Sequence, residues 1–217
     1  MSARIVECVP NISEGRDRAI IDQVVKAAAD VDGTTMLDVD PGAATNRTVI
    51  TFAGEPEAVL ESAFALIAKA AELIDMRDQT GAHPRQGATD VCPFVPVSGV
   101  TMEECVELSK RLGRRVGEEL AIPTYLYEKS ASRPEWVKLP NIREGEYEAL
   151  HDKLGREEWK PDFGPNEWNE HVAKTGVTTT GARNFLIAYN VNLNTKDAGV
   201  ARDIGLTIRD RGRFARN

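Results

Sequence analysis

The chain has 217 residues, 41% of them hydrophobic and 28% charged, which suffices for a sizeable core in one large domain or one and a half. With 27 Lys and Arg against 34 Asp and Glu the net charge is −7, which excludes a basic face for nucleic acid, so an anionic ligand must be met by local arginines. No apolar run reaches membrane-spanning length, the start MSARIVEC carries no signal-peptide pattern, and Cys8, Cys92 and Cys105 lack CxxC or zinc-like spacing. Reduced thiols in a cytoplasmic protein without membrane contact are the expectation.

In chain order, Ile5–Val9 ends at Pro10 and reads as a buried strand. The turn NISEG over 11–15 leads into a helix over Asp17–Val31, with Ile20, Ile21, Val24, Val25 and Ala28 on one face. Gly33 stops it, and Thr34–Val39 reads as a second strand. The loop DPGAATN over 40–46 connects to a third, Arg47–Ala53, with Ile50 and Phe52 on the face opposite Thr51. Pro56 opens a long helix bearing Leu60, Phe64, Ile67, Ala71 and Ile74.

After a Gly- and Pro-rich loop, Val91–Val97 reads as a strand whose Pro93 and Pro96 suggest an edge or a bulge. Thr101 and Glu104 form a capping box for a helix carrying Cys105, Leu108, Leu112, Val116 and Leu120, and Thr124–Tyr127 is a further strand. A short helix over Glu144–Leu154 and an irregular stretch over Trp159–Thr180 follow. The order β-α-β-β-α-loop-β-α-β predicts an α/β (α+β) architecture, a ferredoxin-like mixed sheet with helices packed on one face. Arg183–Leu193 then reads as a strand and Asp197–Arg211 as a helix with Val200, Ile204 and Ile208. One strand and one helix cannot bury their own apolar faces. The expected division is therefore 1–179 for one subdomain and 180–217 for the truncated start of another.

The chemistry-bearing residues gather in a few loops. His83, one of three histidines, sits between Gly81, Pro84 and Gly87 in TGAHPRQGATD. Glycine lets backbone approach a ligand and proline stiffens the turn, so the ring is either an acid–base catalyst or an exposed loop histidine. Asp75, Asp78 and Asp90 are candidates to orient it. His151 and His171 read as surface residues, and without HxH or HxxxH spacing no metal site is expected. Asp38, Asp40, Asn46 and Arg47 stand at adjacent strand ends and form either one polar cluster or a hydrogen-bonded turn. Arg47, Arg85 and Arg183 are the residues suited to grip carboxylates bidentately. WKPDFG over 159–164, Trp168 and TTTG over 178–181 place aromatics beside glycines and hydroxyls, a composition that suits either stacking of a flat ligand or a packed surface loop. GxSxG, P-loop and GxGxxG patterns are absent.

VECVPNISEG, LDVDPGAATNRTVITFAG, GAHPRQGATDVCPFVPV, REGEYEAL, PDFGP and TGARNFLIAYNVNL, in this order, resemble glutamate formiminotransferase over Val6–Arg211. The resemblance implies a folate-dependent enzyme of histidine breakdown, found alone in bacteria and fused to a cyclodeaminase in animals. It implies transfer of the formimino group from N-formimino-L-glutamate to tetrahydrofolate as co-substrate, with no metal, releasing L-glutamate. The family's acid–base histidine falls on His83. The folate-contacting loop falls on Gly164–Gly176, including Pro165, Asn166, Glu167 and Trp168, with Asn166–Lys174 departing from the mammalian pattern. Asp40, Asn46, Arg47, Arg85, Thr178 and Gly181 complete the expected substrate and folate contacts, Asp40 by stabilising the cationic amidinium.

The family domain pairs two α/β subdomains across a groove. Pairing with a missing C-terminal subdomain, or association into a homo-oligomer through an uncovered sheet face, is therefore expected. A glutamate formyltransferase on the same fold, or a non-catalytic folate- or partner-binding module, are the alternatives.

Overall fold

The computed structural model describes residues 3–187, 191 and 193–208. They fall into two compact units, Met1–Asn184 and Phe185–Asn217.

Within the first unit, β1 (Ile5–Cys8) and β2 (Asn11–Ile12) are two pieces of one strand interrupted at Pro10, since both pair with β4 (Arg47–Gly54) and with β5 (Thr89–Ser98). The interruption costs little pairing, because the Pro10 carbonyl still accepts from Ile50 N at 2.9 Å. β3 (Thr34–Gly42) forms an antiparallel hairpin with β4, while β6 (Thr124–Glu128) and β7 (Thr178–Ala182) extend the other side. Among the described residues this makes one sheet of seven strands, antiparallel except for the parallel pairs β5–β7 and β6–β7.

Taken with α1 (Arg18–Ala29) and α2 (Pro56–Leu73), the strands up to β5 follow the β-α-β-β-α-β order and pairing of the ferredoxin-like unit. α3 (Met102–Glu119) then crosses from β5 to the parallel β6, leaving a slot that β7 fills.

The three long helices cover one sheet face. Val6, Cys8, Ile50, Phe52, Cys92 and Phe94 point to them and are fully buried with Val24, Leu60, Leu66 and Leu112. The Asp17 side chain caps α1, accepting from Ala19 N and Ile20 N, and α3 carries the reciprocal Thr101–Glu104 box. On the other face, short helices α4 (Leu139–Ile142), α5 (Leu150–Lys153) and α6 (Glu170–Thr175) shield Val91, Tyr125 and Tyr127 through Ile142, Leu150 and Val172. Trp136 packs edge-on against Tyr125 at 5.0 Å in this second core. It does not extend over β3 and β4, where Asp38 and Asp40 remain exposed.

Several expectations need correction. Of the edge or bulge expected for β5, the edge is absent and the bulge is present: β5 lies inside the sheet, the Pro93 carbonyl accepts from Val9 N at 3.2 Å, and Pro96 meets Val6 where the register slips by one residue. The helix expected over Glu144–Leu154 is a 3-10 turn at Tyr147–Ala149 followed by the one-turn α5. Gly145 and Glu146 both take positive φ, which no continuous helix tolerates. The stretch read as irregular holds α6 and most of β7, whose TTTG lacks the apolar run by which buried strands are found.

In the second unit, α7 (Ala198–Ile208) forms most of the helix expected over Asp197–Arg211; residues 209–211 lie outside the described residues. Of the strand expected over Arg183–Leu193, residues 183–187, 191 and 193 are not in a strand, and the remainder lie outside the described residues.

Candidate active site

The His83 loop bridges α2 and β5 and rests on the turn between β3 and β4. Ala82 N donates to Ala44 O at 3.3 Å, and a Cβ at Gly81 would lie 2.1 Å from Thr45 O. Only glycine permits that approach. The loop's C-terminal end is tied to the sheet, with Gln86 Nε2 donating to Thr179 Oγ1 at 2.7 Å and Gly87 bridging Gly176.

The half-buried His83 ring is held between an acceptor and a donor. Nδ1 lies 2.7 Å from the Pro84 carbonyl, which can only accept, and also 2.7 Å from Arg47 Nη1, which can only donate. The same Nη1 stands 3.0 Å from Nε2, so the guanidinium lies against both ring nitrogens. Burial, and next the Arg47 guanidinium, push the imidazole below its ordinary value. The ring is thus a neutral base at pH 7.

Arg47 projects from the start of β4 on the sheet face away from the long helices. Its Nε donates to Asn11 Oδ1 at 2.8 Å, Nη2 donates to the same oxygen, and Nη1 stands 3.5 Å from Asp90 Oδ2. Burial lowers its own pKa to about 10, with the Asp90 charge opposing the fall. The β3–β4 register puts Asp40 opposite Val49 and Asp38 opposite Thr51, on the same face as Arg47. Both carboxylates are exposed and separate from the buried Arg47 contacts. Asn46 turns the other way at φ +49°, accepting from Gly15 N at 3.0 Å and donating to Gln79 Oε1. Gln79 in turn donates to the buried Glu14 at 3.2 Å.

Arg85 lines a cleft of about 550 Å³ with Pro84, Pro140, Arg143, Glu146 and Glu148. Its guanidinium is already engaged by Glu148 at 2.8 Å and by the Gln79 carbonyl at 2.7 Å. Arg183 donates to the Asn184 carbonyl at 3.0 Å and lies near Glu7 and Tyr127. Of the three acids considered for orienting the ring, Asp75 pairs with Arg77, and the Asp78 N–H donates to the Asp75 carbonyl. Asp90 reaches His83 through Arg47.

The residues of the expected folate loop lie in several places. Gly164, at φ +82°, packs on Gly117 of α3 and the Ile122 carbonyl, where a Cβ would meet Ile122 O at 2.6 Å. Pro165 is half-buried, Asn166 accepts from Gly155 N at 3.0 Å, and Glu167 is exposed. Trp168 packs against Tyr147 and His151, each with ring centres 5.8 Å away. Tyr147 N donates to Arg85 O, which ties this aromatic group to the His83 loop. Gly176 caps α6 at φ +65° against Gln86 and Gly87. Thr178 donates to Thr89 O at 2.9 Å, and Gly181 admits Tyr127 beside it in the sheet. Trp159 lies under Lys153 Nζ at 3.7 Å, and His171 holds the Leu120 carbonyl at 2.8 Å.

The structure therefore brings Asn46, Arg47, His83 and Arg85 into one region and adds Asn11, Gln79, Asp90 and Arg143, which sequence reasoning did not assign as ligand contacts. Asn11 and Arg143 lie within or beside NISEG and REGEYEAL, where the signal was present but carried no obvious chemistry. Among the described residues no group of three His, Cys, Asp or Glu side chains forms a metal-binding cluster, and no helix is long and apolar enough to cross a membrane.

Residues 5–183 match a family model described as the formiminotransferase domain, N-terminal subdomain. The chain is 53% identical over 211 residues to formimidoyltransferase-cyclodeaminase of Dictyostelium discoideum, a match covering 97% of this chain and 38% of that protein. It is 46% identical over 210 residues to glutamate formimidoyltransferase of Streptococcus pyogenes serotype M1, covering 97% of this chain and 69% of that protein. A glutamate formimidoyltransferase of Thermoplasma acidophilum is 49% identical over 207 residues, covering 94% and 67%. The chain thus spans about two fifths of the length of the cyclodeaminase-containing relative and about two thirds of the others.

Proposed function

The chain belongs to the family of formiminotransferase N-terminal subdomains, and from that premise we propose that it takes part in formimino transfer from N-formimino-L-glutamate to tetrahydrofolate, with His83 as the acid–base residue. The observation that carries the reading is a half-buried His83 imidazole held between the Pro84 carbonyl and the Arg47 guanidinium, with burial and Arg47 favouring its neutral, basic form.

The chemistry requires one proton removed and one returned. The N5 amine of the folate attacks the amidine carbon and forms a C–N bond, giving a tetrahedral species, and the attacking nitrogen loses a proton. The bond from that carbon to the glutamate nitrogen then breaks, and glutamate leaves as an amine that needs a proton. A neutral imidazole accepts the first proton. The resulting imidazolium, destabilised by burial and by Arg47, readily gives it up to the leaving nitrogen. Such a residue contributes about 10²–10⁴-fold in rate.

Arg47 and Arg85 are the proposed carboxylate contacts, with exchange of Arg85 from Glu148 to the substrate as the binding step. Asn46 and Asp40 flank the same region, Asp40 as a counter-charge to the amidinium. The segment Gly164–Gly176, with Pro165, Asn166, Glu167 and Trp168, together with Thr178 and Gly181, is the proposed folate side. Pairing with a C-terminal subdomain or a second copy completes the proposed working unit, and a cytoplasmic setting suits three buried free thiols.

The test is turnover by the purified 217-residue chain, followed as glutamate release and 5-formiminotetrahydrofolate formation, with N-formyl-L-glutamate run in parallel. Folate-dependent turnover of the formimino donor supports the reading. Turnover of the formyl donor alone overturns it.

A further inference from the structure

Asp90 occupies an irregular place in β5. Asn11 pairs with Val91 and Ile12 with Thr89, so one step on β2 spans two on β5 and Asp90 is the extra residue of a β-bulge. In an unbroken strand its side chain would face the long helices, opposite to Val91, which joins the second core. The bulge re-aims the carboxylate toward the face that carries Arg47. It is 1% exposed there and fully used. Oδ1 accepts from Gln86 N at 3.0 Å; Oδ2 accepts from Arg143 Nη2 and stands 3.5 Å from Arg47 Nη1.

Building on the formimino-transfer reading, we infer that Asp90 is a positioning residue: one bulged carboxylate ties the His83 loop, through Gln86, to Arg47 and Arg143, and so fixes how the Arg47 guanidinium meets the imidazole. Two guanidiniums this close repel each other, and both are largely buried, with side chains 16% and 12% exposed. A buried anion between them offsets the repulsion. Arg143 enters from the turn after α4, and its Nε is buried without a hydrogen-bond partner, so its hold on Asp90 is its principal polar contact.

The charged groups facing the ring are Arg47 from β4, Arg143 from the turn after α4 and Asp90 from β5. Arg85, in the ring's own loop, turns to Glu146 and Glu148. The two arginines lower the imidazole pKa and Asp90 raises it, so the cluster sets its basicity from opposing sides. The mechanism uses Asp90 and Arg143 only through Arg47 and His83.

The experiment is an NMR titration of the three histidines in the 217-residue chain, with His83 assigned by His83→Gln, paired with the pH profile of kcat/KM. Asp90→Asn is expected to move the His83 midpoint down by roughly 1 pH unit, and Arg143→Gln to move it up by a similar amount, with the acid limb of the rate profile following each. In Asp90→Asn/Arg143→Gln the midpoint should fall between those of the single variants. A merely structural role predicts shifts of the same sign, or none, and either result overturns the inference. If Asp90→Asn does not fold, the Arg143→Gln titration decides: an upward shift supports the inference and an unmoved midpoint overturns it. The titration needs no substrate, so turnover of the formyl donor alone with opposed shifts refutes the transfer reading while leaving the inference standing.

Discussion

Arg47 Nη1 lies 2.7 Å from His83 Nδ1 and 3.0 Å from Nε2, so a largely buried guanidinium stands directly against the imidazole. That contact, added to burial, holds the ring's pKa below its ordinary value. The base form is present above the folded-state pKa and is lost as pH falls through it. The acid limb of kcat/KM is therefore expected below about pH 6.5, the ordinary imidazole value. In Arg47→Gln the limb moves upward, because the lowering charge is gone. A pH profile of both proteins checks the order of the two midpoints.

Gly81→Ala places a methyl 2.1 Å from the Thr45 carbonyl, which is backbone and cannot turn aside. The His83 loop must lift from the β3–β4 turn. A displacement of about 1 Å costs roughly 100-fold in rate when geometry limits the reaction. Transfer kinetics beside thermal unfolding should show a large loss of kcat with a small change in Tm.

Asn46 combines a left-handed backbone with hydrogen bonds to Gly15 and Gln79 and is 5% exposed. Asn46→Ala loses both advantages and is expected to cost about 2–3 kcal/mol. Asn46→Gly keeps the backbone conformation and loses only the hydrogen bonds, so urea unfolding should find it the more stable of the two.

Cys8 and Cys92 meet with sulfurs 3.5 Å apart, both fully buried, and burial pushes the Cys8 thiol well above its ordinary value. Burial likewise raises Cys105, to about 11. Buried thiols that resist ionisation are inert. A thiol-reactive chromophore should find no fast-reacting cysteine in the native chain and all three after denaturation.

The long helices and the outer antiparallel strands were legible because each states its period and its ends locally, as Asp17, Pro56 and the Thr101–Glu104 box do. β7 was not legible, since TTTG reads as a polar loop and becomes a strand only because β5 and β6 supply partners on both sides. The inner position of β5 was hidden by its prolines, which removed donors that the neighbouring strands do not need. At the site, His83, Arg47 and Asn46 stood out from their loops. Asp90 is one of three acids near the ring in sequence, and its reach through Arg47 depends on a bulge that no local pattern encodes. Arg143 lies 60 residues from His83 in sequence, and only the second core brings it back.

The central claim, that His83 moves the proton in formimino transfer, is tested most directly by His83→Ala assayed with and without added imidazole. A loss of about 10²–10⁴-fold in kcat, with partial recovery as imidazole is added and little change in substrate binding, is the expected result. Full formimino transfer by His83→Ala in the absence of imidazole would contradict it.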